Sequence, residues 1–303
     1  MAQDTPQEHL SSLRNSRLMF RHQDAPLLES NLAVSDTTPL SALLLFGQIF
    51  LFFAAQFVLI AGGAYSVVWQ LGRERFAHRR IQPRPRAAQI RRELIWSCWS
   101  MLILSALLTA SWWLSTVGWS RVYFDVDEHS WAYLLFTVVV MAVVHDSYYY
   151  WAHRFMHHPR VFRYVHKLHH GFTNPTPFAS YAFHPLEAMI EVAFFAPLAF
   201  VMPMHPTAVG IYIVVLTILN VISHLGYEFY VPRLARWFIT STHHNLHHAR
   251  GKGHFMLYFN FWDHVMGTNA EDYAAEMARI ATRRRESRAD EVAELSGVIS
   301  ART

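Results

Sequence analysis

Three stretches of the chain carry no charged side chain: Pro39 to Trp69, Ile95 to Trp119, and Ser130 to Val144, the last continuing aromatically to Trp151. Two more follow, Ala188 to Met202 with Glu191 as its one charge and Ala208 to Ile222 with none, separated by Pro203 and the Met204–Pro206 triplet. A helix that crosses a bilayer needs roughly 20 apolar residues, so the first two runs suffice alone and the others with their aromatic and semi-polar flanks. Soluble helices rarely run about 25 residues without a charge. The pattern therefore predicts an all-α, multi-span integral membrane helix bundle of about four to five spans.

Polar segments divide the chain further. Residues 1–38 are polar and mixed in charge, too long for the leading part of a signal peptide, and read as a tail. Residues 39–129 read as N-terminal membrane helices with a basic linker, 130–270 as a histidine-rich membrane domain, and 271–303 as a charged cytosolic tail forming a polar helix. Composition agrees with a membrane protein: 52% apolar and 16% charged residues, with 22 Phe and 10 Trp. The single cysteine, Cys98, lies inside an apolar run and forms no internal disulfide.

Charge sets the orientation. Leu71 to Glu93 holds eight arginines, whereas Arg121 to His129 holds one arginine against three acids, which puts the first linker inside and the second outside. A juxtamembrane basic loop accounts for the pI of 9.3 without a nucleic-acid partner. Following the chain from that anchor, the third span delivers His145–His170 to the cytoplasmic face. The fourth leaves it and the fifth returns, so His184, His224 and His243–His248 reach the same face, while His129 and His205 fall on the other. Lysine occurs only at Lys167 and Lys252 among 26 basic residues, a bias that favours a bacterial inner membrane over the endoplasmic reticulum.

The 20 histidines are not scattered. Residues three or four apart share a helix face, so His153 with His157, His166 with His169 and His170, and His244 with His247 and His248 are each expected to aim at one point. Asp146 shares the stripe of His153; His145 is one residue off it. Neutral imidazole suits iron, zinc and copper, and eight clustered histidines exceed the needs of one tetrahedral ion. Unpartnered imidazoles near hydrocarbon would cost several kcal/mol, which metal coordination removes. Asp146, Glu187, Glu228 and Asp263 are candidate acceptors for fixing histidine tautomers. Two other classes remain in view: a histidine-rich membrane metal-binding or transport protein, which calls for ionisable groups along the spans, and a zinc hydrolase, whose HExxH string is missing.

The strings HRFMH (His153–His157), HKLHH (His166–His170) and HHNLHH (His243–His248), followed by FWDHVMGT (Phe261–Thr268), resemble the sterol desaturase/fatty acid hydroxylase superfamily. Asn174 to Glu187 is similar to the segment after the second box of sterol C5-desaturases. The resemblance covers roughly residues 130–268 and implies two iron ions, with zinc as a substitute in the isolated protein. It implies ligation by His153, His157, His166, His169, His170, His244, His247 and His248, with His224, His145 and His184 as further candidates. It also implies O2-dependent hydroxylation or desaturation of a sterol or fatty acyl lipid at the cytoplasmic end of the bundle. The superfamily's breadth favours hydroxylation, the C5-desaturase-like segment desaturation. No His-Pro-Gly-Gly signature of a fused cytochrome b5 occurs, so electrons are expected from a separate donor: a cytochrome b5-like protein, a ferredoxin or a reductase. His254 and Phe255 stand where the family usually has Asn-Tyr, which puts a role for that Asn in doubt.

Overall fold

The computed structural model describes residues 38–116, 118–229 and 237–300, so the polar tail expected at 1–38 lies outside it except for Thr38. The chain divides into two compact units, Met1–Leu44 and Leu45–Thr303. In the first, residues 38–44 are the opening turns of α1 (Pro39–Phe57). Thr38 Oγ1 accepts the Ser41 N–H at 3.2 Å, and Pro39 occupies the first helical position, where a missing N–H costs nothing.

The second unit is helical, with isolated bridges and no strand among the described residues. After α1 come the π-helical turns Val58–Gly62 and Tyr65–Leu71, then α2 (Ala87–Thr116), α3 (Trp131–Met156), α4 (Pro159–Val165) and α5 (Lys167–His170). They are followed by α6 (Pro185–Val192), α7 (Phe195–Val201), α8 (Pro206–Ser223), α9 (Ser241–Arg250), α10 (Phe261–Val265) and α11 (Tyr273–Ser300). Four segments are long and apolar enough to cross a membrane: Pro39–Leu71, Ala87–Thr116, Trp131–Met156 and Pro206–Ser223.

These helices are apolar on the outside and partly polar on the inside. On α3, Leu135, Phe136, Val139 and Val143 are exposed, while Thr137, Met141, His145, Asp146, Tyr149 and His153 are buried. Lipid solvates an apolar exterior as well as a core does, so association rests on packing and interhelical hydrogen bonds. The buried stripe Glu93, Ser97, Ser100 and Leu104 of α2 supplies such bonds. Ser97 Oγ donates to Phe178 O at 2.7 Å and Ser100 Oγ accepts the Phe183 N–H at 3.2 Å, which docks the irregular segment 174–183 on the helix.

The fourth apolar run does not form one helix; it breaks between α6 and α7, at Ala193–Phe194. Pro197 has no N–H for the Ala193 carbonyl and its ring crowds that oxygen, so the helix cannot continue. The broken segment still runs from one end of the bundle to the other. Glu187 at its start touches His166 at 2.7 Å. At its far end Arg121 N donates to Ala199 O at 2.9 Å, and His205 Nε2–H donates to Phe124 O at 2.9 Å. His205 thus lies at the end opposite the histidine boxes. The charged C-terminal helix is docked as well as solvated, since Arg279 and Arg283 donate to the carbonyls of Ile81 and Arg80 at 2.9 and 2.8 Å.

Candidate metal centre

Nine histidines converge in two adjacent groups. His153, His157, His166, His170 and His247 form one, His169, His224, His244 and His248 the other, and within each group the candidate donor atoms lie within 4.8 Å of one another. Rings of the two groups approach to 5.1 Å between centroids, at His170 and His248. All but His157 are buried.

Each box does not aim at a single point, contrary to the expectation from helical spacing. The i, i+4 pairs stay together: His153 with His157, His166 with His170, His244 with His248. The i+3 members cross over, His169 to the second group and His247 to the first. Successive side chains advance by about 100°, so an i+4 partner is displaced by about 40° one way and an i+3 partner by about 60° the other. A box holding both therefore faces two points, and boxes two and three exchange one histidine each.

Local sequence shapes these elements. Thr240 caps α9: its Oγ1 accepts the His243 N–H at 3.4 Å, and His243 Nδ1 accepts the Thr240 N–H at 2.9 Å. Gly251, at φ +69°, closes the helix and donates to His247 O at 2.7 Å. His243 is spent on that cap and stacks on Tyr273 at 3.7 Å, which leaves His244, His247 and His248 for the centre.

Proton bookkeeping shows what the groups require. A backbone carbonyl only accepts, so an imidazole nitrogen facing one must carry the hydrogen. His169 Nδ1 faces Ala182 O at 3.2 Å, His224 Nδ1 faces Asn220 O at 2.8 Å, His153 Nδ1 faces Phe255 O at 2.9 Å and His247 Nδ1 faces Gly253 O at 2.6 Å. His166 Nδ1 meets the Glu187 carboxylate at 2.7 Å. In the neutral ring each Nε2 is then a bare lone pair.

Two of these bare atoms face each other in each group, His153–His166 at 3.0 Å in the first and His169–His224 at 3.5 Å in the second. The Nε2 atoms of the other histidines lie as close, with His166–His170 at 3.1 Å, His157–His247 at 3.2 Å, His224–His244 at 2.9 Å and His244–His248 at 3.0 Å. Lone pairs at such range repel unless a cation lies among them. Nitrogens bound about 2.1 Å from one metal ion sit about 3.0 to 3.4 Å apart, so the donor set fits an ion in each group. Burial also keeps the rings neutral: it pushes His170 down to about 3 and His157 and His224 down to about 4, the last eased by the Asn220 carbonyl. His169, His244, His247 and His248 are lowered well below the ordinary value by burial and by one another.

His145 and His184 stand outside both groups. The Glu191 carbonyl faces His145 Nε2 at 3.1 Å and fixes the hydrogen there, while Nδ1 takes the Tyr212 hydroxyl, so neither nitrogen is free for a metal. His184 caps α6, its Nδ1 accepting the Leu186 N–H at 3.3 Å. Of the four acidic candidates, only Glu187 touches a histidine of the groups. Asp263 accepts the N–H groups of Phe255 and Met256, both at 3.0 Å, and Asp146 those of Tyr258 and Phe259 at 3.0 and 3.2 Å. These two carboxylates hold the loop whose carbonyls at Gly253 and Phe255 orient His247 and His153. Glu228 accepts the Thr242 N–H at 3.0 Å, at the start of α9. His254 is one of two non-glycine residues with positive φ among those described, at +53°, a region that Asn tolerates well.

The sequence model of the fatty acid hydroxylase family, described as "Fatty acid hydroxylase", matches residues 138–268. The chain is similar to lathosterol oxidase of Mus musculus, 33% identical over 59% of this chain and 61% of the relative. It is similar to a Delta(7)-sterol 5(6)-desaturase of Aspergillus fumigatus, 30% identical over 63% of this chain and 67% of the relative. Methylsterol monooxygenase 1 of Gallus gallus is 26% identical over 58% of this chain and 62% of the relative. The chain thus spans about three-fifths of the length of the first two relatives it matches. No solved structure matches.

Proposed function

We propose, because this chain belongs to the sterol desaturase/fatty acid hydroxylase superfamily, that it is an integral membrane oxidoreductase acting on a sterol-type lipid. The single observation that carries the reading is the pair of histidine groups whose bare Nε2 lone pairs converge. His153, His157, His166, His170 and His247 would hold one iron ion, and His169, His224, His244 and His248 the other, with zinc a possible occupant after isolation. Bound there, the two ions supply reduction of dioxygen and removal of hydrogen from an unactivated C–H bond.

The chain's own residues do the rest. Carbonyl and carboxylate partners hold protons on Nδ1 and turn Nε2 inward, and second-layer contacts of this kind raise ligand basicity. Burial of the rings excludes bulk water from the reacting region. Asp146 and Asp263 fix the loop 253–259 that closes over the first group.

Dioxygen takes four electrons in all. Desaturation draws two from the lipid with two hydrogens, and two more come with two protons from a separate donor, giving two waters. Hydroxylation uses the same inputs and leaves one oxygen in the lipid. The relative named as a desaturase is more similar than the one named as a monooxygenase, which favours desaturation. The donor is of the cytochrome b5, ferredoxin or reductase kind, and the arginines of residues 71–93 support a centre on the cytoplasmic side. The segments 39–129, 130–270 and 271–303 are proposed as membrane anchor with linker, catalytic domain and tail.

Lipid mass spectrometry of a host expressing the chain, or a His169→Ala/His247→Ala variant, tests this. A new species lighter by two hydrogens or heavier by one oxygen should appear with the wild type alone. An unchanged sterol and acyl profile, or activity in the double variant, would overturn it.

A further inference from the structure

A cavity of about 330 Å³ lies beside the centre, at the small end of the range for lipid- or drug-sized ligands. Phe183 and Asn220 form part of its wall. The Phe183 ring lies 5.2 Å from His169, and the Asn220 carbonyl takes the His224 Nδ1–H, so the cavity abuts the second histidine group. Its wall is mostly apolar, built from leucines, phenylalanines and alanines. The other polar side chains in it are used, with one exception: Ser111 donates to Leu107 O, Tyr181 meets Thr217, Tyr212 meets His145 and Asn220 donates to Ser180 O.

The exception is Glu191. Its side chain lines the cavity, the residue is 91% buried, and its Oε1 has no hydrogen-bond partner. A carboxyl oxygen in an apolar wall costs free energy unless something donates to it. Its neighbours hold it firmly in place. Tyr148 Oη donates to Ile190 O at 2.7 Å, which also accepts the Ala193 N–H at 3.1 Å, and His145 Nε2–H donates to Glu191 O at 3.1 Å, so side chains of α3 hold the last turn of α6. The Phe194 ring stacks on His145 at 4.1 Å. His145 therefore acts as a positioning residue for Glu191. One helical turn, about 6 Å, separates Glu191 from Glu187, which touches His166.

Resting on the lipid-oxidation reading above, we infer that Glu191 is a specificity-determining residue: its free Oε1 accepts the hydroxyl of a hydroxyl-bearing apolar lipid seated in this cavity. Sterols and long-chain alcohols share that chemistry, so the test separates them. Purified holoprotein in nanodiscs is titrated with cholesterol, with 5α-cholestane, which lacks the hydroxyl, and with octadecanol and octadecane.

The wild type should bind at least one hydroxylated lipid about 10- to 100-fold more tightly than its hydrocarbon counterpart, the loss that follows from leaving a buried polar atom unpaired. Glu191→Gln, which keeps an acceptor oxygen, should retain most of that ratio. Glu191→Leu should bring it near unity while bound metal stays unchanged, and should raise Tm without lipid because an unpaired buried carboxyl is gone. A ratio near unity in the wild type, an unchanged ratio in Glu191→Leu, or a fall in its lipid-free Tm would overturn the inference. Metal content in the same samples reports on the histidine centre separately, so failure of that reading is distinguishable.

Discussion

The Nε2 atoms of His169 and His224 face each other at 3.5 Å from positions 55 residues apart, each with its Nδ1 hydrogen spent on a backbone carbonyl. Neither ring can donate to the other in its neutral form, so the pair is held for a shared cation. His224 belongs to no box, yet without it the second group has three imidazoles. His224→Ala should cost the isolated protein about one metal ion, because a three-nitrogen site with nothing in the fourth position loses affinity. His145→Ala should keep full metal content, since both His145 nitrogens are used elsewhere. Plasma mass spectrometry of both variants decides; full occupancy in His224→Ala would contradict the assignment.

Glu187 and Asp263 are both buried acids near the boxes, but they act at different removes. Glu187 accepts from an imidazole of the first group, whereas Asp263 accepts from the backbone of the loop that orients His153. Glu187→Gln should lower metal affinity about 10- to 100-fold with little change in lipid-free thermal stability. Asp263→Asn replaces an acceptor of three hydrogen bonds, including the Thr268 hydroxyl at 2.6 Å, and should reduce thermal stability first. Chelator competition and thermal melts, read on the same preparations, separate the two.

His205 lies at the far end of the bundle and touches no candidate ligand. It is not idle, because its Nδ1 caps α8 through the Thr207 N–H at 3.1 Å and its Nε2–H holds Phe124 O at 2.9 Å. His205→Ala should cost about 1 kcal/mol of stability through the lost cap while leaving metal content and lipid oxidation intact. Loss of metal in this variant would place His205 at the wrong end.

What was legible in the sequence was whatever side-chain type and spacing encode. The charge-free runs mark the spans, and arginine asymmetry leads His145–His170 and His243–His248 to one end. The assignment of each box to one point failed because three- and four-residue spacings diverge on a helix, as His169 and His247 show. Pro197 lies at the break in the fourth run, but its effect depends on the carbonyl of Ala193 and is easily lost in an apolar composition. The carbonyls of Ala182, Asn220, Gly253 and Phe255 that fix the tautomers leave no sequence signal, since every residue has one. His145 is a ligand candidate on the family resemblance, and only Tyr212 and Glu191, brought to it by α8 and α6, reveal its other task.

Acid should release the metal and loosen the fold over the same range. Burial holds His157 and His224 near pKa 4, against about 6.5 for the unfolded chain. Between those values the unfolded state binds more protons than the folded one, so stability rises with pH through the window and falls as pH drops through it. Each such histidine contributes a slope of at most about 1.4 kcal/mol per pH unit. Above pH ~7 both states are neutral at these sites and the effect vanishes. Thermal melts of chelator-treated protein should therefore be flat from pH ~9 to ~7 and decline from ~6.5 to ~4. Metal-loaded protein should hold its Tm to lower pH, because the ion competes with protons for the same Nε2 lone pairs. Equal declines in the loaded and stripped forms would mean that the ion does not bind these histidines.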